Sequence, residues 1–216
     1  MNRIDRRRNH VYSVHPVNNS FAVFAFSAVK KETIVRIITG SAKGRRLKTL
    51  QGHDVRPTLE RARETLFNII GERVIDARFL DLFAGSGSVA IEALSRGAAS
   101  AILVDNSRES VRVIRENLKT TGLEAQVWQV SAEVALNKLL KQGKQFDMIF
   151  CDPPYDSTWL SRMVSWVDTH PQILALEGIL IGEHHHKTPP PVMENLETFD
   201  TRRVGETQFT FYRRKA

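Results

Sequence analysis

From Phe79 onward, short apolar runs alternate with amphipathic stretches, and this alternation constrains the fold more than any other feature of the chain. Phe79 to Phe83, Ala101 to Val104, Ala125 to Val130, Phe146 to Cys151 and Ile179 to Glu183 read as strands. Ser88 to Ser95, a stretch capped by Ser107 and ended by Gly122, Glu133 to Lys141, and Trp159 to Val167 read as the helices between them. Strands joined by helices run parallel, and such a sheet needs cover on both faces. The end of the chain breaks the pattern. Thr198 to Arg203 and Thr207 to Tyr212 flank Val204-Gly205-Glu206 with no helix between them, so an antiparallel hairpin should close the sheet. The expectation is an α/β domain over residues 77–216 with a mostly parallel seven-stranded sheet.

The front of the chain is different. Ile34 to Ile38 and Arg45 to Thr49 read as a small hairpin around Gly40-Ser41-Ala42-Lys43-Gly44. Arg56-Pro57-Thr58 opens a helix with Thr58 as its N-cap, Leu59, Ala62, Leu66, Phe67, Ile69 and Ile70 as its apolar face, and Gly71 as its end. Charge is uneven: residues 1–76 hold 15 Lys/Arg against 7 Asp/Glu, and residues 77–216 hold 16 against 17. Arg36, Lys43, Arg45, Arg46, Lys48, Arg56, Arg61 and Arg63 concentrate in residues 34–76 and point to a polyanionic partner such as nucleic acid. Residues 1–33 carry Arg6-Arg7-Arg8 far ahead of an apolar run from Phe21 to Val29. They are expected to be a dispensable disordered leader, or to follow from a start placed too far upstream. No apolar run approaches the roughly 18 residues of a membrane span. A single cysteine, Cys151, excludes an internal disulfide framework and fits a reducing, cytoplasmic setting.

Three strand ends carry the chemistry. Asp152-Pro153-Pro154-Tyr155 ends a buried strand with an acid, a rigid turn and a ring, because prolines cannot continue a parallel ladder. In open α/β sheets, ligands bind at the carboxyl ends of strands. An acceptor, a fixed carbonyl and a stacking ring suit gripping a flat base by its exocyclic amine. Asp81-Leu82-Phe83-Ala84-Gly85-Ser86-Gly87 lies at the first strand-to-helix turn, and Asp105 ends the second strand. Gly85-x-Gly87-x-x-Ala90 also matches a dinucleotide fingerprint, and Asp105 could accept ribose hydroxyls in either case. Asp81 favours a cationic cofactor, since an acid there would repel a pyrophosphate. His184-His185-His186 looks like a metal tract. However, alternating strand side chains point to opposite faces and no second ligand cluster accompanies them, so no metal is expected. Trp159 and Trp166, two turns apart on one helix, read as core or helix-packing residues, and Trp128 as a core residue.

Further runs complete a resemblance. They are Arg36-Ile37-Ile38-x-Gly40 with Lys43-Gly44-Arg45-x-Leu47, and Arg56-Pro57-Thr58 with Arg63-Glu64-Thr65-Leu66-Phe67-Asn68. Ile91-Glu92-Ala93-Leu94-Ser95-Arg96-Gly97-Ala98 and Asn117-Leu118 follow. With the glycine loop and the Asp-Pro-Pro-Tyr turn, the chain resembles class I S-adenosylmethionine-dependent methyltransferases of Rossmann-like fold. More narrowly, it resembles the RsmD family, which methylates guanine N2 in 16S ribosomal RNA. The resemblance spans about Arg36 to Arg214. It implies catalytic roles for Asp152, Pro153, Pro154 and Tyr155. It implies cofactor contacts from Asp81, Phe83, Gly85, Gly87, Asp105, Ser131, Ala132 and Thr58, with Ser131-Ala132 standing where the family usually has an amide or acid. RNA contacts are expected from Arg36, Lys43, Arg45, Arg46, Arg56 and Arg61, on 16S RNA within the small subunit or an assembly intermediate. Rival readings are an adenine-N6 DNA methyltransferase, a nucleotide-linked oxidoreductase and a non-catalytic RNA-binding assembly factor.

Overall fold

A computed structural model of the chain describes residues 35–50, 57–154, 158–188, 191 and 193–215, with backbone alone at 57–59. The expected leader at 1–33 lies outside these residues. The described residues belong to one compact unit that begins at Thr33.

The alternating pattern folds as read. β3 (Arg78–Asp81), β4 (Ser100–Asp105), β5 (Gln126–Gln129), β6 (Phe146–Cys151) and β7 (Leu174–His185) are parallel, and β8 (Leu196–Val204) and β9 (Thr207–Arg214) are antiparallel. The sheet order is β5-β4-β3-β6-β7-β9-β8, so β9 inserts between β7 and its own hairpin partner. Helices α2 (Ser88–Ser95), α3 (Arg108–Thr121), α4 (Ala132–Lys141) and α5 (Trp159–Thr169) are the crossovers. Ser107 and Ser131 cap α3 and α4 by accepting from Ser110 N and Val134 N. β7 begins five residues before its expected start, because a register shift opposite Phe146 and Met148 lets Leu174 join the ladder.

Strand alternation sorts the core into two layers. Phe79, Leu103, Phe150, Ile181 and Phe209 face α2, α3 and the front of the chain. Leu80, Ile102, Ile149, Leu180 and Tyr212 face α4 and α5. Cys151 is fully buried in the second layer, and burial pushes its thiol well above the usual range, as an inert core residue requires.

The front segment docks on the first layer. Its strands are shorter than expected, β1 (Val35–Arg36) pairing with β2 (Arg46–Leu47). Val35, Ile37 and Leu47 are buried, and full burial of each is worth about 1.5–3 kcal/mol. Hydrogen bonds at roughly 1 kcal/mol each add less energy but set the register. Glu92 on α2 accepts from Ile38 N at 2.8 Å and Thr39 N at 3.0 Å. Ser95 Oγ donates to Thr39 O and accepts from Ala42 N. Asn117 on α3 accepts from Lys48 N and donates to Lys48 O and Ser86 O. Helix α1 (Pro57–Ile70) starts two residues earlier than a Thr58 cap implies. Proline at the first helical position needs no N–H and brings a preset φ, so Thr58 lies inside the helix and is not its cap. Leu66, Phe67 and Ile70 bury its apolar face.

Gly40 has φ +88° against α2, and a Cβ there would sit 1.7 Å from Ser95 O, a backbone atom. Gly40→Ala should lower unfolding free energy by about 2–4 kcal/mol, combining left-handed strain with overpacking. Gly44→Ala, at φ +79° with open space, should cost only about 1 kcal/mol. Urea unfolding of the two variants checks the difference.

Candidate functional site

The carboxyl ends of β3, β4, β6 and β7 open into a cavity of about 540 Å³, walled on the other side by the hairpin and α1 through Val35, Thr49, Leu50, Glu60 and Arg63. The sheet register gathers acids there. Cys151 pairs with Gly182, so Asp152 and Glu183 leave neighbouring strands side by side. Asp81 lies on the same face, opposite Phe150.

Asp81 is 1 % exposed. Its carboxyl accepts from the backbone N–H of Phe83 and of Ala90 in the first turn of α2, while Oδ1 has no partner among the described residues. Desolvation, then the charges of Asp152 and Asp105, push its pKa up to about 8 despite these bonds. Desolvation raises Asp152 to about 7. Glu183 is 7 % exposed and pushed well above the carboxylate range by burial, then by Asp152 and Asp81. Asp105 is tied down differently: its two oxygens accept from Gly85 N and Ser107 N, each at 2.8 Å.

The structure brings together Asp81, Phe83, Gly85, Asp105, Ser131, Ala132, Asp152, Pro153 and Pro154 in this one cavity. The two glycines of the loop divide the work. A Cβ on Gly85 would meet nothing within 4 Å, leaving its backbone open. One on Gly87 would meet Leu103, Ile91 and Ile114 at 3.0–3.2 Å, so Gly87 serves close packing of α2 on the sheet. Ser131 spends its hydroxyl on capping α4. Tyr155 and Arg56 lie outside the described residues, as does the side chain of Thr58.

Arg36, Lys43, Arg45, Arg46 and Arg61 are all exposed on the front segment. Arg63 is a correction to the basic cluster: it is buried, donates to Arg36 O and lies 3.9 Å from Glu92. Lys48 is exposed but paired with Glu116. Trp159, read as core, is half-buried at the cavity wall, edge-on to Phe83 and stacked under Arg162. Phe209 and Glu60 also line the cavity. Phe209 arrives there only because β9 pairs with β7, which no local pattern announces.

The histidine tract also differs from its expected alternation. His184 is buried against Thr210 Oγ1, whereas His185 and His186 turn to one side and share Glu206 at 3.1 and 3.4 Å. His185, His186 and Glu206 could together approach an ion. Yet Lys187 N–H donates to His185 Nδ1, which puts the ring proton on the nitrogen facing Glu206, and Arg203 pairs with the same carboxylate.

Residues 35–213 match the family described as conserved hypothetical protein 95. A Bacillus subtilis protein, YlbH, provisionally named an rRNA methyltransferase, is 38% identical over 84% of this chain and 100% of its own length. The Escherichia coli ribosomal RNA small subunit methyltransferase D is 32% identical over 84% of this chain and 91% of its own.

The chain belongs to the RsmD family.

A solved structure of an Escherichia coli protein provisionally named methyltransferase yhhF superposes with a TM-score of 0.72 at 32% identity, over 85% of this chain and 99% of that one. As a member of the RsmD family, the chain is a methyltransferase, and its seven-stranded sheet is the family's Rossmann-like fold. No helix among the described residues is long and apolar enough to cross a membrane.

The raised carboxyls make a pH prediction. Asp81 and Asp152 bind protons more tightly folded than unfolded, so stability should fall as pH rises from about 4 to about 8. Asp81→Asn should flatten that slope in urea unfolding series across the same window.

Proposed function

We propose that the chain transfers a methyl group from S-adenosylmethionine to the exocyclic N2 of a guanine in 16S ribosomal RNA, in the cytoplasm, on the small subunit or an assembly intermediate. One observation carries the reading: Asp152-Pro153-Pro154 shares a cavity with Asp81, whose Oδ1 has no partner among the described residues, beneath a wall made by the cationic front segment. The names of the similar proteins supply the RNA.

The lining suits this cofactor. Asp81 Oδ1 is a buried acceptor without a donor, which a cationic amino-acid portion would satisfy. Asp105 lies where ribose hydroxyls can be accepted, and Gly85 leaves room for close approach. A pyrophosphate would instead face Asp81, Asp105, Asp152 and Glu183, which weighs against a nicotinamide-linked oxidoreductase. When bound, S-adenosylmethionine supplies a methyl group on a positively charged sulfur.

The chain's own residues position the acceptor. The guanine amine is a poor nucleophile because its lone pair is delocalised into the ring. Hydrogen bonds from it to the Asp152 carboxylate and Pro153 carbonyl favour a pyramidal nitrogen and aim the lone pair. In-line positioning of this kind can lower a barrier by several kcal/mol, up to roughly 10. As the new N–C bond forms and the methyl–sulfur bond breaks to leave a neutral thioether, the nitrogen sheds a proton, and Asp152, with its pKa near 7, is suited to take it or pass it to water. Tyr155, which lies outside the described residues, would supply the ring that stacks on the base. The base enters unstacked, at a cost of a few kcal/mol.

Labelled S-adenosylmethionine, incubated with small subunits or naked 16S RNA lacking the modification, should label N2-methylguanosine in the digest. Label on another nucleoside would overturn the reading. Asp152→Ala should cut turnover at least about 100-fold with cofactor affinity retained in calorimetry. Replacing Lys43, Arg45 and Arg46 together with alanine should weaken RNA binding. It should also reduce the slope of log K against log salt by about 2–3, read by filter binding across salt concentrations.

A further inference from the structure

We infer that Glu183 selects guanine, accepting the N1–H of its Watson–Crick edge while Asp152 accepts the neighbouring N2 amine. The inference rests on the guanine-N2 reading above and names what distinguishes that base within the site.

The geometry places two acceptors side by side. Gly182 pairs with Cys151, so Asp152 and Glu183 are the next residues on adjacent parallel strands and lie on one face. Both line the cavity with Pro153 and Phe209, the residue paired with Glu183 across β9. Glu183 is 7 % exposed, and the groups among the described residues whose charges act on its carboxyl are Asp152 and Asp81, both acids. Its neighbours do not need it: His184 and Thr210 satisfy each other. In the free protein, burial beside Asp152 and Asp81 favours the protonated carboxyl of Glu183, and a donor arriving on the substrate would favour the ionised, accepting form. A structural role would have supplied a donor; a ligand role leaves the donor to arrive with the substrate.

Guanine brings two adjacent donors, N1–H and the N2 amine, spaced as two neighbouring strand ends can receive them. Adenine offers an acceptor at N1, and so does 2-aminopurine, which keeps the N2 amine. Either would set a ring nitrogen lone pair against the Glu183 carboxylate. A site built to receive a hydrogen bond rejects an analogue lacking the donor far more strongly than a hydrophobic pocket rejects a change of size. Asp152 alone grips any exocyclic amine; Glu183 beside it reads the adjacent ring position.

The test uses small subunits reconstituted with 16S RNA carrying guanine or 2-aminopurine at the position the wild-type enzyme methylates. Wild type should favour guanine by at least about 100-fold in kcat/KM. Glu183→Ala should lose about that factor on guanine, little on 2-aminopurine, and bind S-adenosylmethionine with unchanged affinity in calorimetry. Glu183→Gln, which keeps an acceptor oxygen and the shape, should retain most of the preference, and Glu183→Leu, which fills the space without an acceptor and should lose it, stands in if the alanine variant does not fold. Equal loss on both bases would overturn the inference in favour of a general proton acceptor or a structural group, and so would unchanged preference in Glu183→Ala. If wild type places no label on guanine N2, the underlying reading fails, and that outcome is visible before any variant is made.

Discussion

The arrangement hangs on the Glu92 carboxylate. It is fully buried on α2, where a lone charge would be expensive, and it is held by two backbone N–H groups of the hairpin and by Arg96 at 2.8 Å. Arg63 on α1 lies 3.9 Å away, so one carboxylate addresses the hairpin, α1 and α2 together. Removing one partner of such a set leaves an uncompensated charge, typically at about 3–5 kcal/mol. That coupling makes the front segment part of the catalytic domain's wall, because Val35, Thr49, Glu60 and Arg63 border the same cavity as the strand ends. The Glu-Ala-Leu-Ser-Arg-Gly-Ala run is therefore a docking device. Glu92 and Ser95 bind the hairpin, and Arg96 covers Phe67 while pairing with Glu92.

The same sheet that is stabilised by apolar burial collects charge at one end. Asp81, Asp152 and Glu183 sit above Phe150 and Ile181 on the first layer, far enough down to lose water and near enough to repel one another. Their raised pKa values express one conflict, which a cationic cofactor and a donor-rich base would both relieve. Asp105 adds its charge to the crowding of Asp81, while its own two oxygens accept from the backbone N–H groups of Gly85 and Ser107. In the proposed reaction, ligand binding would relieve the charge crowding that the free protein carries at these strand ends.

Much of this was legible in the chain. Alternating runs predicted the parallel sheet and closing hairpin, and the acids and the first glycine at the strand ends line one cavity. Local signals were weaker at boundaries. Thr58 looked like a cap because Ser, Thr, Asp and Asn usually are, yet Pro57 starts α1. Arg63 looked like one more surface cation, and Trp159 like one more core ring. Their positions depend on what packs against them, which no spacing encodes.

What the sequence by itself determined is periodicity and chemistry: which residues alternate, where prolines and glycines stop a strand, and which acids follow it. Those are local consequences of backbone sterics and side-chain type. Only the tertiary structure decided which ends become neighbours. Gly182 beside Cys151, β9 inserted against β7, and a hairpin clamped by Glu92 are long-range pairings. They turn Glu183 from a polar strand terminus into a cavity residue beside Asp152, because register across a sheet is set by the packing of whole faces and not by any one segment.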